Sequence, residues 1–203
     1  MTTLVVTTDM VLVDTRITWA ATSNTRTKIH QYKGLIYTAC GVVGGGQIQV
    51  YRFIDELLDE SKPWPTIIKD DVDASYVIVI TEDIPHRDLS KGDVICIDID
   101  RGAVSHDAYF NRHELAAPGV VERMTTYVDG SGGRLYQTFL TTHPDPIAAF
   151  ELAVEHDPYS GFPYQYINRR TCTVQDVFPS QRRTAPFAHI KTVAGKPVNP
   201  DES

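Results

Sequence analysis

The sequence opens on Met1-Thr2, a junction at which the initiator methionine is commonly trimmed because the second residue is small. Thr2 would then carry a hydroxyl and a free α-amine. A threonine hydroxyl is a weak nucleophile at its own pKa, but an N-terminal amine titrates at about 7.7 to 8.0 and can take up the hydroxyl proton at neutral pH. Nucleophile and base would then share one residue. Asp14 and Arg16 interrupt the end of an apolar run, Val11-Leu12-Val13, and Lys28 opens another segment. A half-buried lysine beside a hydroxyl lowers the cost of an alkoxide and depresses a neighbouring amine's pKa, while an aspartate holds the lysine in position. Two further segments, Gly130-Ser131-Gly132-Gly133 and Asp157-Pro158-Tyr159-Ser160-Gly161, combine hydroxyls and a carboxylate with glycines that let backbone amides approach a polar site. Each piece also has a plain reading: many chains start Met-Thr, Asp14 with Lys28 fits a surface pair, and both glycine-serine segments fit ordinary turns.

Chemistry of this kind needs elements to hold it. Leu4 to Val6 and Val11 to Val13, rich in β-branched residues and separated by Thr7-Thr8-Asp9, predict a hairpin beginning almost at residue 1, which would fix Thr2 in space. Lys28 to Tyr32 and Leu35 to Ala39, turned at Lys33-Gly34, predict a second. From Gly46 to about Glu60, the residues Ile48, Tyr51, Ile54, Leu57 and Leu58 recur at three- and four-residue steps, the pattern of a helix with one buried stripe. Strands are predicted at Tyr76 to Thr81, Val94 to Ile99 and Ala103 to Ala108. Helices follow at Gly133 to Thr142 and Pro146 to Glu155, the latter with Asp145 as N-cap and Pro146 at its first position. Strands at Tyr164 to Ile167 and Cys172 to Val177 complete a domain over 1–177. Prolines and polar residues dominate 178–203, a tail expected to be partly loose. The order predicts an α+β sandwich with helices covering sheets from outside.

Bulk properties narrow the function classes. A chain of 203 residues, 42% apolar, is long enough for one sizeable core. Its net charge of -7 and the lack of a basic stripe argue against nucleic-acid or membrane-surface binding; Arg169-Arg170 and Arg182-Arg183 read as solvated edges. The apolar runs are too short to cross a bilayer, and the first twenty residues lack the layout of a secretory signal, which predicts a soluble protein. Cys40, Cys96 and Cys172 fit neither a disulfide framework nor a zinc site, so a reducing cytoplasm is expected. The seven histidines show no paired-ligand spacing, there is no Gly-x-Ser-x-Gly elbow, and no metal or cofactor is implied.

Taken together, these segments resemble the proteasome β-subunit family and its bacterial relative HslV, threonine peptidases whose landmarks occur here in the same order. Thr2-Thr3-Leu4-Val5-Val6 resembles the mature N-terminus. Asp14-Thr15-Arg16-Ile17-Thr18 resembles an Asp-x-Arg-x-Thr element, Lys28-Ile29 the catalytic lysine with its aliphatic neighbour, and Cys40-Gly41 the pair before the first helix. Gly130-Ser131-Gly132-Gly133 and Asp157-x-x-Ser160-Gly161 resemble the Gly-Ser-Gly and Asp-x-x-Ser-Gly loops. The resemblance covers residues 2 to about 177. It departs at Val42-Val43-Gly44-Gly45-Gly46, which replaces a small-residue run containing an aspartate, in a shorter first hairpin, at Arg134, Tyr136, Gln137 and Phe139, where relatives favour alanines, and in a longer tail.

The resemblance implies the four-layer α-β-β-α sandwich of N-terminal-nucleophile hydrolases, with Thr2 as nucleophile and, through its amine, base. Lys28 would tune the site with Asp14 as partner, and the Gly41 N–H would stabilise the oxyanion. Ser131, Asp157 and Ser160 would orient the Thr2 amine and a proton-relaying water. A homo-oligomeric ring acting on unfolded proteins or peptides, fed by an ATP-dependent unfoldase, is the expected setting, and the start at Met1-Thr2 favours the HslV-like branch. Two other readings keep the fold: an amidase or acylase acting on a small substrate, and a catalytically silent ring or scaffold protein.

Overall fold

The computed structural model describes residues 2–19, 22–41, 46–107, 111–113, 121–123 and 126–178. Its strands are β1 (Thr3–Val6), β2 (Met10–Asp14), β3 (Arg16–Trp19), β4 (Thr22–Thr25), β5 (Ile29–Tyr32), β6 (Leu35–Gly41), β7 (Ala74–Val79), β8 (Val94–Asp98), β9 (Ala103–Asp107), β10 (Asn111–His113), β11 (Val121–Arg123), β12 (Tyr127–Gly130), β13 (Tyr164–Asn168) and β14 (Thr173–Val177). The helices are α1 (Gln47–Leu58), α2 (Gly133–Thr142) and α3 (Pro146–His156). Among the described residues the strands form a five-stranded sheet in the order β12-β1-β2-β13-β14, a seven-stranded sheet in the order β11-β10-β9-β8-β7-β6-β5, and the hairpin β3-β4.

Burial of alternate side chains on two opposite faces explains why β1 is apolar from Leu4 to Val6. Leu4 and Val6 enter a cluster with Val11, Val13, Ile36, Val77, Val79 and Val94, between the two sheets. Val5 and Leu12 face the opposite way, into a cluster with Tyr136, Ile147, Phe150 and Val154 of α2 and α3. A third cluster joins α1 to the outer face of the large sheet through Val50, Phe53, Ile54 and Leu57. Each of those four side chains is fully buried, worth about 1.5 to 3 kcal/mol for the larger ones. The central strands β1, β2, β7 and β8 thus have apolar side chains packed on both of their faces, which holds them in place for a site at their ends.

Helix ends are closed by identifiable groups. Asp145 accepts from the Ile147 N–H at 3.0 Å to cap α3, with Pro146 at its first turn. At the C-terminus of α1, Arg87 Nε donates to Leu57 O at 3.0 Å and Nη2 to Glu56 O at 2.7 Å, satisfying carbonyls the helix leaves open.

The structure corrects the stripe of α1. Ile48 is 85% exposed, and the buried face runs through Val50, Phe53, Ile54 and Leu57, because α1 starts at Gln47 and turns Ile48 away from the sheet. It also divides the arginine pair: Arg170 is exposed, but Arg169 is buried, donating through Nε to Gly92 O at 2.8 Å and through Nη1 to Thr7 O at 2.6 Å. The β13–β14 turn folds Arg169 back against the β1–β2 turn, so its sequence neighbour is a poor guide to its surroundings. The strands β3, β4, β10, β11 and β12 have no counterpart among the strand ranges of the sequence reading. Arg182-Arg183, Val42 to Gly45 and the tail beyond Phe178 lie outside the described residues. Among those described, no helix is long and apolar enough to cross a membrane.

Candidate active site

Thr2 directly precedes β1 and is only 3% exposed. Because β1 lies between β12 and β2, the end of β12 and the end of β2 flank the start of the chain, with Thr3 paired to Gly130 and Leu4 to Val13. Gly130 walls one side. Its φ of +81° suits glycine, and a Cβ there would overlap the Thr2 carbonyl oxygen and press on Cys40 Sγ.

Asp14 ends β2 with no exposed surface and collects four donors. The Thr3 N–H and Lys28 Nζ reach Oδ1 at 2.9 and 3.0 Å, and the Arg16 and Gly161 N–H groups reach Oδ2 at 3.0 and 3.2 Å. Lys28, immediately before β5, extends from the second sheet into this space and also donates to Thr2 Oγ1 at 2.7 Å. The side chains of Lys28 and Asp14 are 8% and 0% exposed, so they form a buried ion pair rather than the surface pair their isolated positions suggest. Burial pushes the Lys28 ammonium below the ordinary lysine range, opposed by the charge of Asp14. Burial likewise pushes the Asp14 carboxyl up, opposed by Lys28 and by the Thr3 and Arg16 N–H groups. Two charges are thus held out of water against their solvation, an arrangement that is poor for stability and suited to chemistry. An ammonium 2.7 Å from a hydroxyl oxygen stabilises negative charge developing on that oxygen.

Asp157 and Ser160, at and after the C-terminal end of α3, and Ser131, between β12 and α2, come together. Ser131 Oγ donates to Asp157 Oδ2 at 2.6 Å and Ser160 Oγ to the same oxygen at 2.5 Å. Ser160 Oγ also shares a 2.6 Å hydrogen bond with Thr3 Oγ1. The single Ser160 proton is directed to Asp157, so Thr3 donates. This chain therefore reaches Thr3, next to Thr2, and enters the site from the opposite side to Lys28. Gly41 ends β6 at φ +94°, where a Cβ would overlap the Asp73 carbonyl, and it follows Cys40, whose Sγ lies 4.0 Å from the Thr2 carbonyl oxygen. Burial pushes the Cys40 thiol up, so it stays protonated beside the Thr2 carbonyl. Among the described residues no group of three or more histidine, cysteine or carboxylate side chains is gathered as metal ligands.

Two residues of this neighbourhood escaped the sequence reading. Thr3 is fully buried within an apolar strand, and Gln165, 4% exposed, bonds the backbone at Lys28 and Ile29. The available signal was the same for both, a polar side chain in an otherwise apolar strand, which must find a partner when buried.

No protein-family model matches the chain, and no curated protein does. Solved structures do. Anbu from Hyphomicrobium sp. strain MC1 superposes with a TM-score of 0.53 at 9% identity, covering 98% of this chain and 99% of that one. The helical assembly of the Anbu complex from Pseudomonas aeruginosa gives 0.53 at 10%, covering 98% of each chain. Anbu from Yersinia bercovieri, described as an ancestral beta-subunit, gives 0.50 at 9%, covering 98% and 99%. What the chain shares with these Anbu chains is the fold.

Proposed function

We propose that the protein is a threonine-type N-terminal-nucleophile peptidase, with Thr2 as nucleophile once Met1 is removed. The observation that carries this reading is the buried Lys28 ammonium, which bridges Thr2 Oγ1 at 2.7 Å and Asp14 Oδ1 at 3.0 Å. The freed α-amine takes the Thr2 hydroxyl proton, and Oγ1 attacks the peptide carbonyl. Lys28 steadies the forming alkoxide while Asp14 holds Lys28, and the Gly41 N–H receives the oxyanion, a type of donor often worth about 3 to 4 kcal/mol. The amine then passes its proton to the departing amine, leaving an ester on Thr2. Water, deprotonated by the same amine, hydrolyses that ester and restores the hydroxyl. Ser131, Asp157 and Ser160, through Thr3, hold the strand that carries the nucleophile.

The three apolar clusters support the four-layer α-β-β-α arrangement for a domain over 1–177. The helical assembly of the Pseudomonas Anbu complex supports an assembly of more than two copies. Unfolded proteins or peptides as substrates and an ATP-dependent unfoldase as a partner belong to the proposal through the family resemblance alone. The test uses protein whose N-terminus has been checked by intact mass, offered a chromogenic peptide and a peptide epoxyketone. Peptide cleavage with label on Thr2 is the expected result. Cleavage of small amides alone would move the protein to the amidase reading, and absence of both would make it a silent scaffold.

A further inference from the structure

Gln165 lies in the middle of β13, on the face of the five-stranded sheet turned toward the other sheet, the same face as Ile167. It is 4% exposed, and its side chain does not stay within its own sheet. Oε1 accepts from the backbone N–H of Lys28 at 2.7 Å and of Ile29 at 3.1 Å. Nε2 donates to Asp176 Oδ1 on the neighbouring strand β14 at 2.9 Å and to Thr27 Oγ1 at 2.9 Å. A carboxylate accepts only, so Asp176 fixes which end of the amide faces outward and therefore aims Oε1 at the two N–H groups.

Among the described residues β5 is the edge strand of the seven-stranded sheet, and the chain at its start has a neighbour strand on one side only. The Lys28 side chain must nevertheless cross to the other sheet and meet Thr2 and Asp14 within hydrogen-bond distance. Gln165 supplies the missing constraint at the root of that side chain: β13 is paired to β2, and Gln165 sits opposite Val13, one residue before Asp14. The two partners of the ion pair are thereby tied to one strand, Asp14 by the ladder and Lys28 by the amide.

We infer that Gln165 is a positioning residue for turnover, setting the place of the Lys28 ammonium against Thr2 and Asp14 through the Lys28 and Ile29 backbone, with Asp176 orienting its amide. This rests on the peptidase reading of the same site. Gln165 touches neither substrate nor the reacting atoms, so its loss should lower kcat and leave KM within about twofold, since misplacement of a catalytic group by about 1 Å costs up to about a hundredfold.

Four proteins are compared with the unchanged enzyme on one peptide: Gln165→Ala, Gln165→Glu, the double variant Gln165→Glu/Asp176→Asn, and Val177→Ala. The last removes buried apolar volume from β14 and serves as a destabilised control. The expected result is a fall in kcat of about ten- to a hundredfold for Gln165→Ala, with kcat unchanged for Val177→Ala at a comparable drop in melting temperature. In Gln165→Glu the neutral acid keeps the acceptor for the two N–H groups and one donor, enough for Asp176, whereas the ionised form faces Asp176 with no proton. Its kcat relative to the unchanged enzyme should therefore fall as the pH rises, and the double variant, with the amide moved to position 176, should lose that dependence. Equal kcat for Gln165→Ala and the unchanged enzyme overturns the inference alone. If Gln165→Ala fails to fold, a pH-independent Gln165→Glu with normal kcat overturns it. An unchanged enzyme that cleaves no peptide and takes no label at Thr2 overturns the peptidase reading and the role of Gln165 in turnover with it.

Discussion

Replacing Lys28 by methionine keeps the length and apolar stem of the side chain and removes only the charge. Two separate losses are expected. The first is chemical: Thr2 Oγ1 loses a charged donor at 2.7 Å, and the loss of one such donor to a developing anion is worth about 3 to 4 kcal/mol, or about a hundred- to a thousandfold in kcat. The second is structural. Asp14, with no exposed surface, keeps the Thr3, Arg16 and Gly161 N–H groups but loses its counter-ion. Leaving a buried charge without its partner costs about 3 to 5 kcal/mol, which for a chain of this size lowers the melting temperature by roughly 6 to 20 °C. The two losses respond differently to pH and to a second substitution. The Asp14 pKa is already raised by burial, and Lys28 is among the groups that hold it down, so removing Lys28 raises it further. A carboxyl whose folded pKa lies above its unfolded value favours the fold most below that unfolded value, about 4, and loses the contribution as the pH climbs through the folded value. The stability deficit of Lys28→Met should therefore shrink as the pH falls from about 7 to about 5. Adding Asp14→Asn should recover at least about 1 kcal/mol at neutral pH, because the buried charge is gone, while activity stays absent. The assay is thermal melting across pH together with hydrolysis of one peptide, on protein of verified N-terminus. A folded Lys28→Met enzyme within about fivefold of normal kcat, or a double variant no more stable than the single one, would refute this account of the pair.

Thr2→Ala, or any residue left attached ahead of Thr2, should abolish peptide hydrolysis, whereas Thr2→Ser should retain part of it. Hydrolysis at the normal rate by protein shown by mass to be blocked at the N-terminus would overturn the shared nucleophile and base. Gly130→Ala should destroy both labelling of Thr2 and much of the stability, because its Cβ would overlap backbone, while Gly34→Ala, with nothing within 4 Å, should cost only about 1 to 2 kcal/mol for its positive φ; melting curves of the two separate these outcomes. Ser160→Ala cuts the chain between Asp157 and Thr3 and should reduce kcat by at least about tenfold with the fold retained, which near-normal kcat in the variant would contradict. Light scattering should give a mass above that of a dimer of the 22.7 kDa chain, and a clean monomer at micromolar concentration would count against the assembly.

The strand and helix pattern was largely legible because burial imposes its period on the residues. The runs of β1, β2, β7 and β8 alternate between two apolar environments, and α3 announces itself through Asp145 and Pro146. In α1 the period was legible but the phase was not: Ile48 fits the apolar rhythm, yet the helix begins beside it and leaves it in solvent. Thr2, Asp14 and Lys28 could be proposed from their types, but only the packing of one sheet against the other brings Lys28 within hydrogen-bond reach of the other two. Gln165 and Thr3 were hidden for the opposite reason. Each is a polar residue in a largely apolar strand, which signals that a partner is needed when buried, but the partners belong to other elements, so nothing local says which they are. Arg169 shows the same limit, since its neighbour Arg170 is exposed.

The ladder that seats Thr2 also sets a timetable. Thr3 pairs with Gly130, its hydroxyl meets Ser160 across 157 positions, and Gly161 closes on Asp14 across 147. None of these contacts can form until most of the chain has been made, and closures of such span are slow compared with local hairpins. At a synthesis rate of about 5 to 20 residues per second, Thr2 leaves the ribosome many seconds before the strand that completes its surroundings. During that interval Lys28 has neither the β13 clamp nor a buried Asp14 to meet, and Thr2 is an ordinary flexible terminus, accessible to an aminopeptidase that removes methionine. If Thr2 is the nucleophile proposed above, topology alone orders its trimming before the assembly of its surroundings.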